Sequence, residues 1–236
     1  MALDVYVGSL TRYYAGEWES VAEKTARERG AAPELAPLAS ASGYVRDPQT
    51  LQPAIQAWRL LLSESLGSNI TWPLDWNESL EEPYFTGRPG WDGFGSLVLW
   101  AAYAEHPTLR LPPSLPEEWD NDDALLLSNA AGFRSRYSHL VRNVELWLPS
   151  PFEFTFEGED VDGRRVVIGS IMTLCRQLED LNTATWNAAA GAIASWAHVL
   201  PTQNAALELC ARYAFAILLG LARQAVELRL PMKLDY

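Results

Sequence analysis

Phe152-Glu153-Phe154-Thr155-Phe156-Glu157 alternates aromatic and polar residues, and Arg165-Val166-Val167-Ile168 follows after the stretch Gly158 to Gly163. Strict alternation marks a strand with one buried face, because successive strand side chains point to opposite sides. Asp162-Gly163 supplies turn chemistry between the two runs, so the segment reads as a β-hairpin. A second alternating run sets Leu3, Val5 and Val7 against Asp4 and Tyr6 and stops at Gly8. It predicts a half-buried strand. Val144 to Leu148 is a further short candidate. The expected sheet is small and antiparallel, built from the N-terminal strand and the hairpin near 152–168.

Outside these runs the apolar period is helical. Ser170 to about Trp186 carries Ile171, Leu174, Leu178 and Leu181 on one stripe, and a further helix, or a continuation of this one past Gly191, reaches His198. Pro201 and Asn204 open a long helix ending near Leu230, with Glu208/Arg212 and Arg223/Glu227 spaced as ion pairs one turn apart. Upstream, Glu17 to Arg29 places Trp18, Val21, Ala22 and Thr25 on one stripe, with Gly30 as its stop. Pro53 to Leu66 carries Ile55, Trp58, Leu62 and Leu66 inward and closes at Gly67. Gly93 to Glu105 is apolar on every side, the pattern of a helix buried all round, with Asp92 as its expected N-cap. Asp122 to about Arg142 reads as one helix or two, broken near Gly132. Residues 31–48 are expected as a connecting loop, and the four-proline stretch 107–121 as a surface crossing. The fold class is therefore α+β and predominantly helical, one globular domain over 1–236. The helices at 93–105 and 204–230 are expected side by side beneath the sheet.

With 48% hydrophobic and 20% charged residues, a chain of 236 residues can bury a sizeable core. Cys175 and Cys210 each lie in apolar helical stretches and read as buried thiols, which fits a reducing cytoplasm. The start, Met1 to Gly8, lacks a basic segment and a long apolar core, so no signal peptide is expected. The most apolar window, Tyr213 to Ala222, is shorter than the ~20 residues a membrane span needs.

The net charge of −12 is concentrated. Asp75, Glu78, Glu81 and Glu82 form one cluster, Glu117, Glu118, Asp120, Asp122 and Asp123 a second, and Glu153, Glu157, Glu159, Asp160 and Asp162 a third. They hold 14 of the 30 acids with no Lys or Arg in their spans; the rest sets 16 acids against 18 bases, so the clusters carry the whole excess. That distribution argues against nucleic acid, which needs a basic face, and against an anionic membrane. It suits a basic protein partner, or else acidic loops that keep the surface solvated.

The chain carries no phosphate-binding loop, zinc-binding HExxH, G-x-S-x-G elbow or Cys-x-x-Cys pair. Asp120-Asn121-Asp122-Asp123 lacks the glycine and glutamate of a calcium loop. His106, His139 and His198 are scattered, and a nucleophilic triad would need Ser or Cys beside one of them in space. No cofactor or metal is expected. The least ordinary segment is 68–92, where Trp72, Trp76, Tyr84, Phe85 and Trp91 mingle with Asp75, Glu78, Glu81, Glu82, Arg88 and Asp92. Such residues build protein interfaces or wall a ligand cleft with two carboxylates as acid and base; alternatively the tryptophans roof the core. Thr11-Arg12-Tyr13-Tyr14 either contacts a ligand or holds the following helix onto the sheet. The expected function is an acidic binding protein for a basic protein partner, an inhibitor of the immunity or antitoxin type. Its contacts would come from 68–92 and from Glu117, Glu118, Asp120, Asp122 and Asp123. The alternative is a hydrolase or transferase whose cleft is formed by 68–92.

Overall fold

The computed structural model describes residues 3–30, 46–202 and 204–236. One six-stranded sheet organises them: β1 (Asp4–Val7), β2 (Phe85–Gly87), β3 (Val144–Leu148), β4 (Phe156–Glu159), β5 (Arg165–Ser170) and β6 (Met232–Asp235), in the order β2-β1-β6-β3-β5-β4. The α+β class holds, with helix outweighing strand. The sheet, however, is larger than expected and mixed, because β3 pairs with β5 in parallel while the other pairings are antiparallel. The missing pieces were β2, which lies inside the 68–92 stretch and pairs with β1, and β6. Met232-Lys233-Leu234-Asp235 does alternate apolar and polar residues, but over only four positions directly after the long helix; long-range pairing with both β1 and β3 puts them in the middle of the sheet.

Alternation along each strand divides the core in two. On one face, Val5, Val7, Val144, Trp147, Met232 and Leu234 pack against α4 (Gly90–Glu105), α7 (Ile171–Ala184) and α9 (Leu207–Leu228). On the other, Tyr6, Leu146, Leu148, Val166 and Ile168 meet α1 (Leu10–Ala15), α3 (Pro48–Leu66), and Leu74 and Trp76. The helices α4 and α9 pack side by side, as the sequence predicts. A methyl group on Gly93 would sit 3.3 Å from the Ala214 Cβ, so glycine permits this close approach. At 22 residues α9 is long and apolar enough to cross a bilayer, yet eleven of its side chains are buried in the fold, and it serves as a core helix.

Local chemistry moves several boundaries. The helix expected over 17–29 forms but starts later, as α2 (Val21–Glu28), opened by a Ser20/Glu23 capping box, and ahead of it stands an unexpected helix, α1, capped by Ser9 and stopped at Gly16 with φ 71°. Trp18 leaves the helix and stacks on Tyr13 at 5.6 Å. The hairpin β4–β5 forms, but β4 starts at Phe156; Phe152 and Phe154 precede it and cluster with that ring. The alternation of those phenylalanines therefore reflects aromatic packing, with no pleat over 152–155. α4 begins at Gly90 with Pro89 at its cap position, so Asp92 lies inside the first turn, where a carboxylate favours the helix dipole. Gly132 ends α5 (Asp123–Ala131), and the short α6 (Ser138–Val141) follows. The last helix before the long one is α8 (Ala190–Trp196). Glu208 and Arg212 pair as expected, whereas Arg223 reaches across to Glu179 of α7 at 2.9 Å and leaves Glu227 aside. Of the expected loop 31–48, residues 31–45 lie outside the described residues, and Pro48 already opens α3.

Candidate functional site

The segment 68–92 divides into core and surface. Trp76 and Glu78 are buried, at 6% and 4% exposure. Arg59 of α3 donates Nη1 to the Trp76 carbonyl at 2.7 Å and Nη2 to Asp75 Oδ1 at 2.9 Å, while its guanidinium covers the Trp76 ring at 4.6 Å. Glu78 accepts the Thr11 backbone N–H at 2.7 Å and the Trp76 indole N–H. These two residues lock the segment to α1 and α3, so neither can present its side chain to a partner; this corrects the interface reading at both positions. Arg88 is likewise committed, gripping Asp4 through Nε and through Nη2 at 2.9 Å. Tyr84 stacks on Tyr6 beneath the Arg12 guanidinium, and Glu82 accepts from the Asn77 amide. Trp72, Glu81, Trp91 and Asp92 remain on the surface, Trp91 edge-on to Tyr236.

Asp75 and Glu78 line one open cleft of about 490 Å³ with Gln52 and Gln56, and Asp92 is not part of its wall. Glu78 has both oxygens engaged by N–H donors and Asp75 is tied to Arg59. Both carboxylates are thus taken by donors of the fold itself and are not presented together to a substrate as acid and base.

Thr11-Arg12-Tyr13-Tyr14 falls within α1 and holds it to the sheet. The Tyr13 hydroxyl donates to Asp235 at 2.7 Å, and Lys233 Nζ lies 5.5 and 5.9 Å from the Tyr13 and Tyr14 rings. Lys233 itself pairs with Asp160 at 3.3 Å, both almost fully buried. Burial pulls the lysine pKa down and Asp160 opposes that shift; burial likewise pushes Asp235 up. Sequence reasoning missed this network, since its members come from the two ends of the chain and the hairpin turn.

The second acidic segment is different in kind. Glu117, Glu118, Asp120 and Asp123 are exposed, and none has an ion-pair partner among the described residues. Asp122 alone turns inward. It caps α5 by accepting the Ala124 N–H at 2.9 Å and takes the Tyr103 hydroxyl at 3.0 Å; burial, and after it this bond, raise the tyrosine pKa to about 12. Its neighbour Trp119 lies against α4, where a methyl on Gly95 would meet the indole at 2.8 Å. Downstream, α5 buries Ala124, Leu125 and Ser128 and turns Leu126 and Leu127 outward at 50% exposure each. Asp123 shares their face, three and four residues before them. Sequence reasoning found the acids, but not the leucines: periodicity cannot say which apolar residues of a short helix face water.

Past α5, Glu105 accepts the Ser128 and Ser135 hydroxyls at 2.9 and 2.7 Å and the Arg136 N–H at 3.1 Å, fixing the turn that follows. Beside it opens a cleft of about 420 Å³, walled by Phe133 and Phe154 and floored by Ser138 and Gln177. Arg136, Arg176, Glu153 and Asp180 stand around it. Two histidine–serine contacts lie nearby. The Ser128 hydroxyl meets His106 Nε2 at 3.1 Å but gives its proton to Glu105, and Ser138 meets His139 Nδ1 at 3.3 Å in a fully buried pair. Neither follows triad geometry, in which the imidazole stands between the nucleophile and a carboxylate. Among the described residues no three His, Cys, Asp or Glu side chains gather as metal ligands. Comparison with known protein families, with curated proteins and with solved structures finds no match to this chain.

Proposed function

We propose that this chain is a binding protein for a basic protein partner, engaged through the face formed by residues 117–127, and that it acts as an inhibitor of the immunity or antitoxin type. One observation carries the reading: four exposed acids without an ion-pair partner among the described residues precede, and in Asp123 share the face of, two leucines that α5 turns to solvent. Protein interfaces join an apolar centre to a polar rim, and uncompensated charge steers an oppositely charged partner into register. Ion-paired acids have already spent that field, which sets Asp75, Glu153 and Asp162 apart from this group. Two free cysteines suit a reducing cytoplasm as its site of action.

The test uses the basic product of a reading frame adjacent to this gene, co-expressed and purified with the chain. Affinity should fall steeply as salt rises. It should drop again when Glu117, Glu118, Asp120 and Asp123 are neutralised to their amides, or when Leu126 becomes Glu. Binding that ignores salt and survives both changes overturns the proposal.

A further inference from the structure

The cleft beside α6 and α7 has no part in the proposed docking face, and its lining has a chemistry of its own. Its floor is rigid and neutral. Gln177 donates Nε2 to the Ser138 hydroxyl at 3.2 Å and accepts the His139 N–H at 2.9 Å, so its amide is oriented, and both floor side chains are buried. Its wall is aromatic. Phe154 is half-buried, and Phe133 comes from a different segment and is 66% exposed, so its ring is available to a ligand. At 420 Å³ the space falls in the range of small-molecule sites.

The charged groups at the rim narrow the ligand further. Arg176 and Glu153 neutralise each other in an ion pair. That leaves Arg136 and Asp180, which have no ion-pair partner among the described residues although both line the cleft. The Arg136 guanidinium, which lies over the Tyr137 ring at 5.3 Å, and the Asp180 carboxylate, each without an ion-pair partner among the described residues, match with the aromatic wall a small molecule carrying a carboxylate, an ammonium and an apolar group together. A simple anion would engage only Arg136 and a simple cation only Asp180, whereas a zwitterion engages both. We infer that this cleft binds a free α-amino acid with an apolar side chain: Arg136 takes the carboxylate, Asp180 the ammonium, and Phe133 and Phe154 pack on the side chain.

Titration of the full chain with L-phenylalanine and L-leucine, followed by calorimetry and by chemical shifts of residues 133–139 and 176–180, tests this. Saturable binding with shifts confined to those residues is expected. N-acetyl-L-phenylalanine lacks the ammonium and L-phenylalaninamide lacks the carboxylate. Each should bind at least ~10-fold more weakly, the loss of one charge-assisted contact. Arg136→Ala and Asp180→Asn should each do the same for L-phenylalanine. Both side chains are solvent-exposed, so the variants should fold normally, and an unchanged melting temperature checks this. No saturable binding of either amino acid overturns the inference. So does equal binding of the blocked analogues, or undiminished binding by two folded variants. None of these results bears on the docking face at 117–127, which Arg136 and Asp180 do not join.

Discussion

At the scale of single residues, burial decides roles that composition leaves open. Trp76 belongs to a loop of surface-type residues, yet it packs under Arg59 with its indole N–H bonded to Glu78. Trp76→Ala should therefore cost ~3–5 kcal/mol. Urea unfolding should show a loss at least as large as for Trp100→Ala, since Trp100 is only half-buried and stacks on Trp186 at 5.3 Å. His139 gives a pH-dependent counterpart. Burial, followed by the nearby Arg176 charge, holds its pKa down to about 4 from an ordinary 6.5. Between those values the unfolded chain binds the proton and the folded chain does not, so stability falls as pH drops through the window. The full effect is about 3 kcal/mol. Unfolding free energies measured near neutrality and at about pH 4.5 should converge in His139→Gln relative to the parent. An unchanged pH dependence in that variant would show that the imidazole is not held neutral in the core.

Elements take their roles from what they pair with. β6 is central because β1 and β3 both hydrogen-bond to it, and its register sets Lys233 beside Tyr6 and Leu146. There the ammonium meets Asp160 from the β4–β5 turn and the tyrosine faces of α1. The contact thus ties strand, hairpin and helix together. Lys233→Ala leaves the buried Asp160 carboxylate with only the longer Arg164 contact at 3.9 Å as a charge partner and should cost ~3–5 kcal/mol, whereas Lys233→Met with Asp160→Asn, which keeps the acceptor for the Asp162 and Arg164 N–H groups, should recover most of that loss. Thermal melts of the single and double variants decide it; a double variant no more stable than the single would mean that the ion pair is not the source of the effect. The helix α5 shows the converse, an element whose sequence looks like core but whose solvent face carries leucines. Leu125→Ala should cost ~2–5 kcal/mol, and Leu126→Glu little, since only the first side chain is buried.

For the molecule as a whole, charge placement matters more than its total. Neutralising Glu117, Glu118, Asp120 and Asp123 changes the net charge from −12 to −8, because four negative charges are removed. Melting should barely move, as these acids make no ion pair among the described residues. The association rate with the basic partner should drop and lose much of its salt dependence in stopped-flow measurements. A collapse in stability instead would assign these acids a structural role. Sequence alone determined the features with a local physical cause: the α+β class, the buried helix α4, the long helix α9, the hairpin around Asp162-Gly163, and the clustering of acids. Each follows from periodicity, turn chemistry or composition, which neighbouring residues express without reference to the rest of the chain. Tertiary structure decided the mixed sheet, the central place of β6, the burial of Trp76 and Glu78, and the outward face of α5. All of these depend on contacts between residues far apart in sequence. A side chain's exposure is set by what the fold brings against it, and a local pattern carries no record of that.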